Sequence, residues 1–160
     1  MHLTKIKKFR RLPAPLKLAF SEAAFLLAVA HVLTKLVPYR WWSGLLGPIC
    51  DAHQNNERSI FVNSEAAQAV GWAVNAAARN VPWNAVCLPR AMVGKWMLAR
   101  RDVDSTLCLG ICRSLGSAKS HADLHAWLEV GEHTITGGEI ADKFKSIVQF
   151  GPSRRTSDIQ

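Results

Sequence analysis

The chain is predicted to be an α+β protein, with helices in its first part and an antiparallel sheet after them. Apolar residues recur at helical spacing in two segments before residue 80, and a third helical segment follows them. Beyond residue 105 the period changes to two, over Thr106–Cys112 and Leu124–Val130, which is typical of strands. Gly131 and Glu132 then supply a two-residue hairpin turn. Helices first and hairpin-connected strands afterwards indicate an α+β architecture.

Length and composition are ordinary for a single globular domain. The sequence has 160 residues, of which 49% are hydrophobic, enough for a core of its own. We predict one domain over residues 1–160. It divides into a basic flexible arm (1–12), a helical region (13–80), a part that carries the sheet (81–150) and a flexible tail (151–160).

The charge is strongly positive and lies mostly near the two ends. Twenty Lys and Arg face twelve Asp and Glu, which gives a formal net charge of +8. The basic residues of the first segment are Lys5, Lys7, Lys8, Arg10 and Arg11. Stacking aromatics are not interleaved with them, so we expect no nucleic-acid partner. Solvated basic tails are the simplest interpretation, and binding of an acidic peptide or anionic lipid is the alternative.

The N-terminal segment decides how the four cysteines are interpreted. A basic start, an apolar run over Ala23–Ala30 and its final Ala-Val-Ala resemble a secretory signal. Pro13, Pro15 and Lys17 interrupt the approach to that run, and the apolar pattern continues beyond it. The run is also far shorter than the ~20 residues that span a bilayer. We therefore predict a core helix over residues 16–36, a cytoplasmic protein and reduced cysteines.

Three helices and a short helical piece are predicted before the sheet. The first ends before Pro38, which does not fit a helix interior. A short piece follows over 39–46, then a polar loop over 51–60 and a helix over 64–79. The apolar face of that helix consists of Ala67, Val70, Val74 and Ala77. The last helix runs from Cys87 to about Arg100, and its predicted apolar face consists of Leu88, Met92, Trp96 and Ala99.

The strand over 124–130 divides its side chains cleanly between two faces. Ala126, Leu128 and Val130 fall on one face, and His125, Trp127 and Glu129 on the other. Its hairpin partner is predicted over 133–136, and a last strand over 147–150.

Cys87 and His125 are the residues most suited to covalent catalysis. Cys87 starts a helix, where free backbone N–H groups and the helix dipole favour the thiolate. A thiolate is the nucleophile for acyl transfer, and a neighbouring imidazole serves as its base. Taken alone, each residue is more often a packing residue. If the helix that begins at Cys87 packs on the His125 face of its strand, the two side chains can meet.

A zinc site is the rival interpretation. Cys108, Cys112, His121 and His125 follow a C-x3-C and H-x3-H pattern. On a strand, however, four residues span roughly 13 Å. Two thiolates that far apart cannot both lie ~2.3 Å from one ion, so we predict no metal. No cofactor is expected either.

Two segments resemble a known family. Residues 82–91 (Pro-Trp-Asn-Ala-Val-Cys-Leu-Pro-Arg-Ala) and 125–131 (His-Ala-Trp-Leu-Glu-Val-Gly), with Ile-Thr-Gly-Gly-Glu at 135–139, resemble the leader peptidases of lasso-peptide biosynthesis. These belong to the transglutaminase-like superfamily. The His-Ala-Trp strand is shared widely in that superfamily, whereas the Trp-x3-Cys-Leu-Pro-x-Ala segment is more specific. The resemblance covers about residues 13–150. It implies a transglutaminase/papain-like core in which the catalytic helix packs on a small antiparallel sheet.

The resemblance also implies an activity and partners. The chain would be a cysteine protease that removes the leader from a ribosomally made precursor, with Cys87 as nucleophile and His125 as base and then acid. A separate ATP-dependent cyclase then closes the ring. Leader recognition belongs to a separate small protein in many such systems. No module fits before the helical region here, so we expect a discrete recognition partner. Another acyltransferase or amidase activity, or a non-catalytic scaffold, are the alternatives.

One family feature is missing from the sequence. Family sites usually include an Asp on the strand after the histidine strand, which orients the imidazole. The corresponding stretch, residues 134–138, has no carboxylate. We choose Glu139 as the third catalytic residue, with Asp123, Thr136, a backbone carbonyl or an unassisted Cys–His dyad left open.

Three further residues are candidates for substrate binding, and a separate group of three residues is a candidate for docking. Trp83 and Trp127 would line the cleft, although core packing is the simpler role for each. Arg90 would meet leader acids or be solvated. Arg40, Trp41 and Trp42 would form an amphipathic surface for the recognition partner, for the cyclase or for peripheral membrane contact.

Overall fold

The computed structural model describes residues 13–50, 64–111 and 124–151. The α-helices are α1 (Ala14–Leu36), α2 (Tyr39–Trp42), α3 (Ser64–Ala78) and α4 (Cys87–Ala99). The strands are β1 (Ile49–Cys50), β2 (Thr106–Ile111), β3 (Leu124–Val130), β4 (His133–Thr136) and β5 (Lys145–Phe150). Two 3₁₀ helices lie at Ser43–Leu46 and Gly138–Lys143. Helices followed by a small antiparallel sheet confirm the predicted α+β class.

The five strands form one antiparallel sheet in the order β1-β5-β2-β3-β4. β2 and β3 pair along their whole length, from Thr106 opposite Glu129 to Ile111 opposite Leu124. The predicted hairpin of β3 and β4 is confirmed. β1 was not predicted, because two residues carry no periodicity, and β5 begins two residues earlier than expected. β5 pairs with β1 on one side and with β2 on the other.

Helix α1 packs through one face and is exposed on the other. Its buried residues, Ala19, Ala23, Leu27 and Ala30, face α3 and α4. The predicted core helix is therefore confirmed for one face, and it starts at Ala14 because Pro13 and Pro15 suit a helix start. Among the described helices, α1 is the one long and apolar enough to cross a bilayer, a test that core helices and signal sequences also pass.

Helix α4 is the central helix of the described structure. It contacts α1, α3 and the strands β2, β3 and β4. The prediction that Ala99 belongs to its apolar face is wrong, because Ala99 is exposed at the helix end. Most of the helix is buried, so no single stripe marks its core side. By contrast, the predicted face of α3 is buried at all four positions.

A buried lysine ties α4 to the end of the sheet. The Lys95 ammonium donates hydrogen bonds to the backbone oxygens of Ser105 (2.9 Å), Phe150 (3.0 Å) and Gly151 (2.6 Å). Its three N–H groups therefore have three acceptors. Burial lowers the pKa of Lys95 to about 8, so it still carries its charge at neutral pH.

Several predictions concern residues beyond those described. The basic arm (1–12), the loop over 51–60 and residues 152–160 of the tail lie outside the described residues. Gly151, the first residue of the predicted tail, is buried against Cys50. The division into segments stays a prediction.

Candidate active site

Cys87 is the first residue of α4. The preceding residue, Val86, has extended backbone angles (φ −69°, ψ 171°), so the helix starts sharply at the cysteine. The side chain of Cys87 is half-buried and packs against the core. Pro89 stands near the helix start, where its missing N–H removes no helical bond. The thiol thus lies at the end of a buried helix where unpaired N–H groups favour a negative charge.

The direction of α4 brings Cys87 towards the end of β3 that carries His125. The C-terminal end of α4 bonds to Val103 through Leu98 O (3.1 Å), just before the start of β2, which pairs with the Glu129 end of β3. At mid-helix, a β-carbon on Gly94 would lie 2.7 Å from Leu128 Cδ2. Cys87 is about 10 Å of helix before Gly94. His125 is about 10 Å of strand before Leu128, towards the same end.

Helix α4 packs on the apolar face of β3, so the condition under which Cys87 and His125 would meet across the sheet is not fulfilled. Gly94 approaches Leu128, and Thr136 lies on the same side. His125 belongs to the opposite face of β3, because side chains alternate along a strand. A meeting of Cys87 with His125 therefore has to occur round the Leu124 end of β3 and not across the face of the sheet.

A backbone oxygen holds the imidazole of His125. The ring is buried, and its Nε2 lies 2.7 Å from the carbonyl oxygen of Gly137. A carbonyl oxygen only accepts hydrogen bonds, so Nε2 carries the proton in this contact. In the neutral ring, Nδ1 then has the free lone pair. This tautomer is the one that a general base acting through Nδ1 requires.

Gly137 owes its place to the absence of a side chain. Its φ of +77° is in the left-handed region, which L side chains rarely adopt. A β-carbon at this position would lie 2.7 Å from Ala126 O and 3.2 Å from His125 Nε2. The glycine therefore lets the backbone after β4 approach β3 closely enough for its carbonyl to reach the imidazole.

Two aromatic rings enclose the imidazole. Trp127 stacks on His125 with 6.0 Å between ring centroids and an interplanar angle of 18°. Phe144 contacts the same ring at 5.0 Å. The Trp127 indole N–H donates to Glu129 Oε1 at 2.6 Å, which fixes the ring that covers His125. Trp127 is thus buried against His125, as in the simpler packing role considered for it, and its contact with substrate stays a prediction.

Cys108 lies on the same face of the sheet as Trp127, but its thiol is unreactive at neutral pH. It is opposite Trp127 in the β2–β3 pairing, and its thiol donates to Glu129 Oε2 at 3.6 Å. Burial, followed by the charge of Glu129, raises the pKa of the Cys108 thiol to about 12. The thiol stays protonated at neutral pH, so Cys108 is poorly suited to act as a nucleophile.

Of the side chains considered for the third role, neither Glu139 nor Thr136, which the structure describes, is hydrogen-bonded to His125. Glu139 is exposed in the 3₁₀ helix Gly138–Lys143, and the ring nitrogen bonds Gly137 instead. Thr136 Oγ1 is buried on the α4 side with no hydrogen-bond partner among the described residues. Asp123 lies outside the described residues, as do Cys112 and His121 of the rival zinc pattern.

The other predicted substrate residues lie near Cys87 in sequence. Trp83 stacks on His31 of α1 with 5.4 Å between ring centroids. Arg90, one turn into α4, has a buried Nε without a hydrogen-bond partner among the described residues. A buried N–H without an acceptor is unfavourable, so this group is suited to receive an acceptor from a bound peptide.

Sequence reasoning missed three contributors to this site. Gly137 was seen only as a place where a carboxylate is lacking, and Glu129 and Phe144 were not considered for it. Two adjacent glycines after a short strand are a sign of left-handed backbone, and that signal was available. Which carbonyl a left-handed turn presents depends on the three-dimensional fold.

Comparison with known families gives one match. The profile described as the transglutaminase-like superfamily matches residues 33–149, most of the chain. Neither the curated proteins nor the solved structures contain a match. The matched range includes α2, α3, α4, the strands β1–β4, all of β5 but Phe150, and both Cys87 and His125.

Proposed function

Because the chain belongs to the transglutaminase-like superfamily, we propose that it is a cysteine peptidase that removes the leader from a lasso-peptide precursor. The superfamily includes cysteine peptidases and commonly performs cysteine-dependent hydrolysis or acyl transfer. The leader-removal role is supported by the Trp-x3-Cys-Leu-Pro-x-Ala segment that ends at Ala91 and by the His-Ala-Trp strand. Both segments resemble those of peptidases, so we propose proteolysis as the reaction.

The proposed reaction proceeds through a thioester. The thiolate of Cys87 attacks the carbonyl carbon between leader and core, and His125, which took the thiol proton, protonates the leaving amine. The core peptide departs with a free N-terminus. His125 then takes a proton from water, which attacks the thioester carbonyl and releases the leader as a carboxylate. The thiol is regenerated in this step.

The hydrogen bond between His125 Nε2 and Gly137 O carries the proposal. In cysteine and serine peptidases, a third group fixes the tautomer and orientation of the imidazole. The Gly137 carbonyl makes that bond at 2.7 Å, although no carboxylate stands at the family's position. A base held in this way supports a competent catalytic pair over a degenerate site, and makes Glu139 unnecessary for the role.

The proposal includes partners and a location. A discrete leader-recognition protein would present the precursor, and an ATP-dependent cyclase would use the freed core. Both act in the cytoplasm. The unpaired Nε–H of Arg90, one turn after Cys87, would donate a hydrogen bond to a carbonyl or carboxylate oxygen of the leader.

Mass spectrometry of a cleavage reaction tests the proposal. The protein is incubated with the precursor encoded beside it, with and without the recognition protein, and the products are identified by mass. We expect free leader and free core with the wild type. Cys87→Ala should abolish them, and Cys50→Ala, which removes another half-buried thiol, on β1, should leave them unchanged.

Each alternative predicts a different result in the same reaction. A leader that carries an added amine instead of a new carboxylate would indicate an acyltransferase. Binding of the precursor without cleavage, under all conditions and with all partners, would indicate a scaffold. Either result, or full cleavage by Cys87→Ala, contradicts the proposed peptidase.

A further inference from the structure

The outer face of α1 carries an apolar stripe that the described residues leave uncovered. Leu18, Phe25 and Val32 follow one another at seven-residue intervals, and Leu36 is one turn further on, so they share one side of the helix. Their exposed fractions are 72%, 69%, 50% and 78%. Only 22% of the most apolar 18-residue stretch of α1 is buried. Large exposed apolar patches mark interaction surfaces.

Exposed aromatic residues follow the stripe along the chain. α2 follows after two residues, and its Tyr39 and Trp41 are 54% and 75% exposed. Trp42, by contrast, is buried, and its indole N–H donates to Val37 O at 3.1 Å. Trp and Tyr with an exposed apolar body and a polar tip are enriched where membranes meet water.

The charge of α1 and of the arginines paired with it is net positive. Glu22 is the one acidic residue in the sequence of α1, and it pairs with Arg100 (3.1 Å) and Arg101 (2.7 Å). These two arginines more than neutralise it. Lys17 and Lys35 stand near the two ends of the helix, and five further Lys and Arg precede it within residues 1–12. A seam for another helix is usually flanked by balanced charges of both signs, whereas positive charge is in excess here.

We propose that the stripe of α1 binds the surface of a bilayer that contains anionic lipid. The binding residues are the four of the stripe, Leu18, Phe25, Val32 and Leu36, together with Tyr39 and Trp41. The helix lies in the interface plane with its apolar side among the acyl chains and its cationic residues at the headgroups. It does not cross the bilayer, because its opposite face holds α3 and α4 through Ala23, Leu27 and Ala30. A peripheral attachment explains why an apolar outer face and a positive charge occur together.

Vesicle sedimentation tests this surface. The full chain is mixed with phosphatidylcholine vesicles that contain about one quarter phosphatidylglycerol, or with phosphatidylcholine vesicles alone. We expect the protein to sediment with the anionic vesicles, at least about tenfold more weakly with neutral ones, and less at about 0.5 M salt. Phe25→Glu and Val32→Glu should each weaken binding about tenfold or more.

A matched control separates this surface from exposed apolar residues in general. Ile147 on β5 is 53% exposed, so Ile147→Glu makes the same change elsewhere and should bind as the wild type does. Thermal melts check that the variants remain folded, which we expect because the substituted positions are exposed. Leader cleavage is not needed for any of these measurements, so the result is independent of the proposed peptidase activity.

Three outcomes would overturn the proposal. One is a folded wild type that stays in the supernatant with anionic vesicles. Another is binding that Phe25→Glu and Val32→Glu leave unchanged, since attachment would then lie elsewhere. The third is a dimer seen by light scattering that the same variants dissociate, because a second copy would then cover the stripe.

Discussion

The two faces of β3 differ in chemistry although they share one backbone. On one face, Ala126 and Leu128 are buried against α4. On the other, His125 is enclosed by Trp127 and bonded to Gly137 O, and Glu129 holds the indole. Both faces are buried, so burial alone does not distinguish packing from candidate chemistry. The difference lies in whether the neighbours are apolar groups or a chain of directed hydrogen bonds.

This alternation means that neighbouring residues should have separable effects. A change on the α4 face should lower the free energy of unfolding and leave the turnover of the remaining folded protein near normal. A change on the His125 face should lower turnover and alter the free energy of unfolding much less. Substitutions along one strand can therefore test whether the two faces are functionally distinct.

The largest effect is expected for His125→Ala. Removing the base should lower the cleavage rate about 10²–10⁴-fold, because proton transfer to and from the thiol and the leaving amine is lost. Thermal unfolding should change much less than cleavage does. Cleavage is measured as the initial rate of leader release. A rate within threefold of the wild type would show that His125 is not the base.

The next effect is expected on the other face. Leu128 is fully buried under Gly94, and Leu128→Ala should lower the free energy of unfolding by about 2–5 kcal/mol through lost burial and a residual cavity. Denaturant unfolding measures this change, and the exposed Ile147→Ala is the control, with a change within about 0.5 kcal/mol. If Leu128→Ala abolished cleavage while leaving stability unchanged, the two faces would not be separable.

A third prediction concerns the carbonyl that holds the imidazole. Gly137→Ala places a β-carbon 2.7 Å from Ala126 O at a φ of +77°, so it should destabilise the fold by about 1–3 kcal/mol. It should also lower cleavage about 10–100-fold, because the carbonyl is displaced from His125 Nε2. Gly44→Ala is the matched control, since nothing lies within 4 Å of its added carbon. Full activity of Gly137→Ala at normal stability would exclude Gly137 O as the positioning group.

The contrast also explains which features the sequence could predict. The helix bounds, the β3–β4 hairpin and the inward face of α3 follow from periodicity and turn residues, which are local. The side of the sheet on which α4 packs is not local, so the sequence left it as a condition, and the structure places α4 on the Leu128 face. Because α4 is buried on most sides, its apolar residues could not indicate which face meets the sheet.

The partner of His125 was beyond sequence reasoning for a different reason. A backbone carbonyl was left open for the third role, but the sequence could not indicate which one, and Glu139 was chosen as the first carboxylate after the strand. The atom that meets Nε2 is a main-chain oxygen of a glycine, and every residue has one. Only the left-handed turn at Gly137 selects this oxygen from the others.

The smallest effect is expected at Glu129, which links the indole to the Cys108 thiol. Glu129→Gln keeps an oxygen that accepts the Trp127 N–H, so cleavage should fall less than about tenfold.

Loss of the Glu129 charge should lower the pKa of Cys108 from about 12, while burial, the larger cause, still holds it above 9.0. A raised folded pKa stabilises the fold below the unfolded value near 9.0, and this contribution is lost as pH rises towards 12. Stability should therefore fall less between pH 9 and 12 in Glu129→Gln than in the wild type, as measured by denaturant unfolding. Cys108→Ala, which has no thiol to ionise, is the control and should show the smallest loss over this range. An equal pH dependence in all three proteins would show that the Cys108 thiol is not coupled to the Glu129 carboxylate.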